Sequence, residues 1–492
     1  MMSVPFWNYA YLSPFDQRTA MPDSSAAPQG KPDPVLTPKA QAATAARLAR
    51  TRLLLDGRIG PTLTKLAAPN VLAMVVQAIM SIAEGYIASK LGVAALAGLA
   101  LVFPLVMLTQ MLSAGSMGGA ISSAVARALG AEDTDRAAAL TLAAWVIAAG
   151  LALVFMIVMA VFGRPIFELL GGTGPAADAA LTYASVFFPG CLALWLCHST
   201  LSVIRGSGNM GVPSVVLLLV SVLTIPLAAG FALGLGPLPA LGMAGLALGT
   251  VIAHGAGALA AFAYLASGRT GLTLRAGWPR AAMFADILRV GVLASANSAL
   301  TVLTIVLMVG AVGRHGQAAL AGYGLGARLE FLMIPVVFGI GSAMTAMVGA
   351  NIGAGHTRRA LAVAWTGSLA AAAIVGSIGA VVAIVPDLWL RMFLSAEETA
   401  ALAAGRSYFR IVAPFYGFFG MGLALYFASQ GAGRMTWPFL GSVARIGVAF
   451  GGAVWLSQTT DLGVSAVFIA IGAGMCIYGV VIAGSVAILK WR

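Results

Sequence analysis

Twelve apolar runs, each long enough to cross the hydrocarbon core of a bilayer, fill this chain from about residue 62 to residue 489. They lie near 62–89, 94–120, 137–162, 181–204, 213–236, 243–267, 287–312, 317–345, 360–386, 405–429, 437–457 and 463–489. In lipid the backbone must satisfy its own hydrogen bonds, which leaves helices or closed barrels. Barrel strands alternate apolar and polar residues over about ten positions; these runs are continuous. The chain is 60% hydrophobic and 9% charged, where a soluble domain carries roughly 25% charged residues. The expected class is an all-α polytopic membrane protein with twelve transmembrane helices.

An internal repeat refines that expectation. Gly92-Val-Ala-Ala-Leu-Ala-Gly98 recurs as Gly316-Gln-Ala-Ala-Leu-Ala-Gly322, an offset of 316 − 92 = 224. Arg205-Gly-Ser-Gly-Asn-Met-Gly-Val-Pro213 recurs as Gln430-Gly-Ala-Gly-Arg-Met-Thr-Trp-Pro438, offset 225, and Leu129-Gly-Ala131 as Ile352-Gly-Ala354, offset 223. Three matches in order at one spacing mark a duplicated unit. Six spans return the chain to its starting side, so the copies are parallel six-helix bundles, pseudo-symmetric about an axis along the membrane normal. A central cleft between two such bundles suits alternating access.

The domain boundaries follow. Residues 1–36, rich in Pro, Ser, Ala and Asp, read as a disordered cytoplasmic tail. Residues 37–60, with Arg47, Arg50 and Arg52 among alanines and leucines, read as a basic amphipathic interfacial helix or as a solvated linker helix. The bundles are 61–267 and 287–492, joined by a cytoplasmic linker over 268–286 that carries Arg269, Arg275 and Arg280. Basic residues concentrate on one set of segments, the inner ones: the tail, Arg127 and Arg136, Arg205, the linker with Arg289, Arg358 and Arg359, Arg434 and Arg445, Lys490 and Arg492. The opposite set holds Lys90, Arg164, Arg314, Arg391, Arg406 and Arg410. That asymmetry places both termini in the cytoplasm, in a multi-pass protein of a bacterial plasma membrane. It also explains the net charge of +12 without nucleic acid. Cys191, Cys197 and Cys476 all sit in apolar runs and form no disulfide framework.

Glu84 is the acid that stands out. Gln77, Ser81 and Glu84 fall at i, i+4 and i+7 in the first run and so share a helix face. A carboxylate within the bilayer costs roughly 2.5–3.5 kcal/mol on insertion scales. Three readings account for it: an ion-coupling acid, a structural pair with a neighbouring helix, or a group that reaches water at the surface. Glu330 lies near the middle of the eighth run, two residues after Arg328 and hence on a different side of the helix. It either meets cationic substrate or a second proton, or is paired with an adjacent helix. Thr250 and His254 share a face of the sixth helix; the imidazole shares a proton with Glu84 or is a packing residue. His198, on the fourth helix, reads as packing. Asn297, Thr301 and Thr304 form a polar stripe on the seventh helix, which either lines the cleft or bonds between helices. Tyr323, Tyr416 and Tyr426 either stack on a flat cation in the cleft or pack.

These features resemble the multidrug and toxic compound extrusion (MATE) transporters of the flippase-like superfamily. The resemblance rests on Leu66-Ala-Ala-Pro69 and Ile82-Ala-Glu84 through Gly92 in the first helix, and on Arg205-Gly-Ser-Gly with Pro213. Leu241-Gly-Met-Ala-Gly-Leu-Ala-Leu-Gly-Thr250, Val348-Gly-Ala-Asn-Ile-Gly-Ala354 and Tyr426-Phe-Ala-Ser-Gln-Gly-Ala-Gly433 complete it. It covers roughly residues 60–489. It implies efflux of bulky, often cationic organic compounds against entry of H⁺ or Na⁺, by a monomer, with no cofactor beyond the ion gradient. Carried over by residue, Glu84 stands where family members usually have Asp, Gln77 matches an amide, Thr224 stands where Asn is common, and Thr250 matches a Thr. Further acids of some members are Ala228, Thr301 and Phe419 here. Na⁺ wants several oxygen ligands, whereas one buried Glu can exchange a proton. H⁺ coupling is therefore expected over Na⁺.

Two other classes compete. A flippase for a lipid-linked saccharide would carry several buried basic groups to grip pyrophosphate, and only Arg328 is placed deep in a run. An enzyme would show a motif such as His-Glu-x-x-His, Gly-x-Ser-x-Gly or a Walker loop, and none is present. No catalytic residue and no metal site is expected.

Overall fold

A computed structural model describes residues 38–272, 278–489 and 491. The tail expected over 1–36, Arg275, Lys490 and Arg492 lie outside the described residues. Among the described residues there are twelve helices long and apolar enough to span a membrane, and no strand. Spans 1–6 are Ile59–Lys90, Val93–Gly130, Thr134–Leu169, Gly174–Gly206, Gly211–Leu233 and Met243–Ala266. Spans 7–12 are Ala281–Gly313, Gln317–Gly353, Thr357–Ile384, Thr399–Gly431, Thr436–Thr459 and Val464–Leu489. Several reach beyond the apolar runs. Span 2 continues to Gly130 and span 10 begins at Thr399, because helix hydrogen bonding does not stop where the sequence turns polar. Proline interrupts the bond ladder in spans 1 and 8, at Pro69 and Pro335.

The repeat is physical. Gly92 and Gly316 open spans 2 and 8 with φ of +110° and +98°, which a side chain would strain. A Cβ on Gly98 would lie 2.7 Å from the Ala179 Cβ of span 4, and one on Gly322 2.5 Å from the Gly405 nitrogen of span 10. The third motif is where the bundles cross. A Cβ on Gly130 would lie 2.1 Å from the Ala350 carbonyl oxygen, and one on Gly353 2.0 Å from that of Arg127. Residues 127 and 130 are related to 350 and 353 by the same offset of 223. Spans 2 and 8 therefore meet reciprocally, glycine against carbonyl, as in an interface between identical copies. Small residues let the two backbones approach this closely.

The bundles join at one end only. Among the described residues, hydrogen bonds and ion pairs between them lie between the middle of the spans and the end nearest the N-terminal helix. Ser123 Oγ donates to the carbonyls of Gln430 and Gly431 over 2.6 and 3.1 Å. Gln430 Nε2 donates to the Ser116 carbonyl over 2.9 Å, Ser116 and Ser298 share a 2.7 Å bond, and Asn70 donates to Ser342. The packed cores cross the bundle boundary at this end. Leu63, Leu66 and Ala67 of span 1 join the core of the C-terminal bundle; Ile287, Val290 and Ala294 of span 7 join that of the N-terminal bundle.

Asp286 of span 7 ties this junction electrostatically. It accepts from Arg127 of span 2 and Arg136 of span 3, each over 2.8 Å. A partly buried charge-assisted bond of this kind contributes about 1.5–3 kcal/mol. Asp286→Asn should therefore shift the balance away from the conformation seen by about tenfold, readable as faster alkylation of a cysteine placed at Ser123. Unchanged alkylation would mean that the glycine crossing, the remaining hydrogen bonds and the shared cores hold the junction without this charge pair.

A helix runs over Pro38–Asp56, as the basic segment predicts. Its apolar and polar residues do not segregate onto faces, and it docks on protein. Leu54 is buried, its carbonyl accepts from Asn351 over 3.1 Å, Arg50 donates to the carbonyls of Arg269 and Thr270, and Arg359 donates to that of Gly57. Carbonyls left over at chain ends need donors, and the arginines supply them. The helix thus straps across both bundles at the joined end.

At the opposite end, Asp387 sits between spans 9 and 10. Arg406 grips it through two 2.7 Å bonds and Arg391 through one of 2.9 Å. The hydrogen bonds from Arg406, then those from Arg391, hold the Asp387 carboxyl down at about 2. Its unfolded value is about 3.9. A depressed value means that the folded state gains stability above the unfolded pKa and loses it as pH falls through the folded one. The thermal midpoint of the wild type should exceed that of Asp387→Asn at pH 6, and the gap should close between about pH 4 and pH 2. A gap independent of pH would remove the charge from the explanation.

Candidate functional site

Glu84 lies six residues before the end of span 1, roughly 9 Å along the axis from that terminus. The residue as a whole is half-buried. The Thr250 hydroxyl of span 6 donates to Glu84 Oε1 over 2.8 Å. Tyr183 of span 4, 1% exposed, lies beside the same Thr250 and Glu84. Three elements thus converge on one carboxylate, because spans 4 and 6 pack face to face through Gly190, Ala and Val positions. Among the described residues no Lys or Arg lies within 4.0 Å of Glu84, so it is not a structural ion pair.

The other residues grouped with Glu84 make no hydrogen bond to it among the described residues. Thr224 is buried and donates to the Val220 carbonyl over 2.8 Å. Gln77 is part-exposed two turns earlier on span 1. His254 is buried and its Nδ1 donates to the Thr250 carbonyl over 2.9 Å. A carbonyl only accepts, so that bond sets the tautomer and leaves Nε2 as an acceptor; Nε2 has no partner. The ring packs edge-on against His198, centroids 5.8 Å apart, and His198 Nδ1 bonds Ser113 Oγ over 2.8 Å. A polar line thus runs from Glu84 through Thr250, His254 and His198 to Ser113, on the π-helical turn Met111–Ser116 of span 2.

The C-terminal bundle carries its own acid. Glu330 Oε1 accepts from the Tyr408 hydroxyl. Tyr416, fully buried, lies beside Glu330 and Tyr408, and Tyr323 packs edge-on against Tyr408 at 5.6 Å. Tyr183 and Tyr408 are repeat partners (408 − 183 = 225). Each bundle therefore sets one acid against the equivalent tyrosine, although Glu84 and Glu330 sit on non-equivalent spans. Periodicity within one helix could not reveal this; the repeat offset applied to tyrosines would have. Arg328 points away and lies 6.0 Å from the Phe393 ring.

The remaining cleft candidates are turned inward. Asn297 is buried and accepts from Ser442 of span 11. Thr301 donates to the Asn297 carbonyl over 3.0 Å and Thr304 to that of Leu300 over 2.7 Å. Tyr323, Tyr416 and Tyr426 are 6%, 0% and 4% exposed, so none is a cleft wall in this conformation. The basic residues need correction too. Arg205, assigned to a loop, lies inside span 4, and Arg445 lies inside span 11. Arg205 is 2% exposed, and Arg445 lies over the rings of Phe419 and Tyr478 at 5.2 and 5.7 Å. Helix formation carried Arg205 inward from the end of an apolar run. The scarcity of buried basic groups therefore no longer argues against other members of the superfamily.

The MatE family model matches residues 69–229 and 292–455, one stretch in each bundle. The chain belongs to the MATE family. It is 26% identical over 422 residues to the probable multidrug resistance protein YoeA of Bacillus subtilis, covering 84% of this chain and 90% of that one. It is 24% identical over 310 residues to the FAD transporter of Shewanella oneidensis, covering 62% and 68%. Its fold matches a MOP superfamily transporter from Pyrococcus furiosus Vc1 with a TM-score of 0.82 at 24% identity, over 89% of this chain and 97% of that one. As a MATE protein it is a multi-pass membrane transporter of the multidrug efflux type, with the twelve-helix fold that its sequence implies.

Proposed function

We propose that this MATE protein is a secondary antiporter that exports bulky organic compounds in exchange for H⁺, with Glu84 as the proton-exchanging group. The observation that carries this reading is the Glu84 carboxylate itself. It lies within span 1 on a half-buried residue, held by one hydroxyl over 2.8 Å with no basic partner within 4.0 Å among the described residues. A carboxylate so placed can lose its charge by taking a proton without breaking an ion pair. Thr250 and Tyr183 add two oxygens, fewer than a Na⁺ cage wants, since hard cations take about six.

Both termini and the strapping helix face the cytoplasm in this reading, because the basic loops do. The bundles are then joined on the cytoplasmic side, and the cleft opens outward in a plasma-membrane protein working as a monomer. Glu330 amid Tyr408, Tyr416 and Tyr323 suits a cationic aromatic compound once the bundle loosens. The Shewanella relative's name, FAD transporter, extends the range to flat compounds that also carry anionic groups. Vesicles reconstituted with the protein should move a cationic dye under an imposed pH gradient and not under an imposed Na⁺ gradient alone. Movement under Na⁺ alone would replace the proton in this reading.

A further inference from the structure

Arg205 ends span 4 with its side chain inside the protein, 2% exposed. Nη1 reaches Ser202 Oγ at a long 3.5 Å; Nε and Nη2 have no partner. No Asp or Glu lies within 4.0 Å of it among the described residues. An isolated buried cation is penalised by several kcal/mol, and buried N–H groups left unpaired add to that.

The guanidinium lines a small chamber at the junction of the bundles, about 10 Å³ in volume, with Gly118, Gly119 and Ser122 of span 2 and Ser342 and Thr345 of span 8. The polar groups around it are not equivalent. Thr345 already donates to the carbonyls of Phe427 and Gly341, and Ser342 to that of Gly339. The Ser122 hydroxyl is free. The unpaired groups include three donors, the Nε and Nη2 N–H groups and the Ser122 O–H; the Thr345 and Ser342 oxygens, having donated, keep lone pairs, and the unpartnered Gln430 Oε1 lies beside Gly119. The chamber's volume holds about one small atom. A water would satisfy the donors but leave the charge; an anion satisfies both.

We propose that Arg205 and Ser122 form an anion site between the bundles, taking a single anionic atom: a chloride ion or one carboxylate oxygen of the transported compound. Both bundles wall the site, so occupancy stabilises the joined conformation. Only the second source rests on the efflux reading.

The test uses the full chain in detergent. Thermal midpoints are compared in sodium chloride and sodium gluconate at equal ionic strength. Anisotropy then reports binding of a xanthene dye bearing a free carboxylate and of its methyl ester. For a free ion, chloride raises the wild-type midpoint saturably by several degrees; Arg205→Gln abolishes the rise, Ser122→Ala weakens it, and Arg205→Lys keeps part of it. For the solute carboxylate, chloride has no effect, but the acid dye binds the wild type at least about tenfold tighter than the ester, about 1.4 kcal/mol, and Arg205→Gln removes that preference. If Arg205→Gln does not fold, Arg205→Lys and Ser122→Ala decide. A wild type indifferent to chloride and to the carboxylate overturns the site, whether or not the ester dye is exported.

Discussion

Vesicles carrying Glu84→Gln should accumulate no dye under an imposed pH gradient. The wild type should accumulate about tenfold per pH unit if one proton exchanges for one dye, since a unit of pH is worth about 1.36 kcal/mol per proton. The amide keeps the size of the side chain and can still meet the Thr250 hydroxyl, now 2.8 Å from Glu84 Oε1. It cannot take up and release a proton. The variant should therefore insert and fold, and facilitated exchange of dye across unenergised vesicles should persist. Gradient-driven accumulation equal to wild type would move the coupling elsewhere, with Glu330 next in line, held by Tyr408. Thr250→Val would be the companion variant. It removes the one hydrogen-bond donor to Glu84 but leaves the carboxylate, so coupling should survive with a shifted pH optimum.

Gly353→Ala should hold the bundles apart at the joined end. The added Cβ would sit 2.0 Å from the Arg127 carbonyl oxygen, a backbone atom that cannot swing aside. Overpacking of this kind costs about 1–3 kcal/mol, which shifts a two-state balance by roughly 5- to 150-fold. Gly130→Ala, its repeat partner, meets the Ala350 carbonyl at 2.1 Å and should act the same way. Spin labels at Ala131 and Arg358, both exposed, would read the separation with Cys476 replaced by Ser. A longer, narrower distance distribution and a lost transport cycle are expected. An unchanged distribution in both variants would mean that spans 2 and 8 can slide past each other at no great cost. Gly85, by contrast, has nothing within 4 Å of a Cβ, and Ala there should leave the distance unchanged.

What the residues determined unaided is the part set by short-range physics. Continuous apolar runs admit only helices in lipid, so the spans and their number were legible. The duplicated motifs located the two bundles, because sequence similarity survives where glycine is sterically required, as at Gly92 and Gly316 and at the Gly130–Gly353 crossing. The family resemblance groups Thr250 with Glu84, and the two meet over 2.8 Å.

Tertiary packing decided the rest. Which side chains stand beside Glu330 depends on the rotation of spans 8 and 10 about their axes, and those rotations are set by contacts between helices. Tyr408 and Tyr416 reached the acid by that route, while Asn297 turned to Ser442 within its own bundle. Arg205 shows the limit most directly. At the end of an apolar run an arginine is placed in a loop by composition. Its long side chain instead follows the helix back toward the preceding turn, and the closure of two bundles over it buried it without a counter-charge.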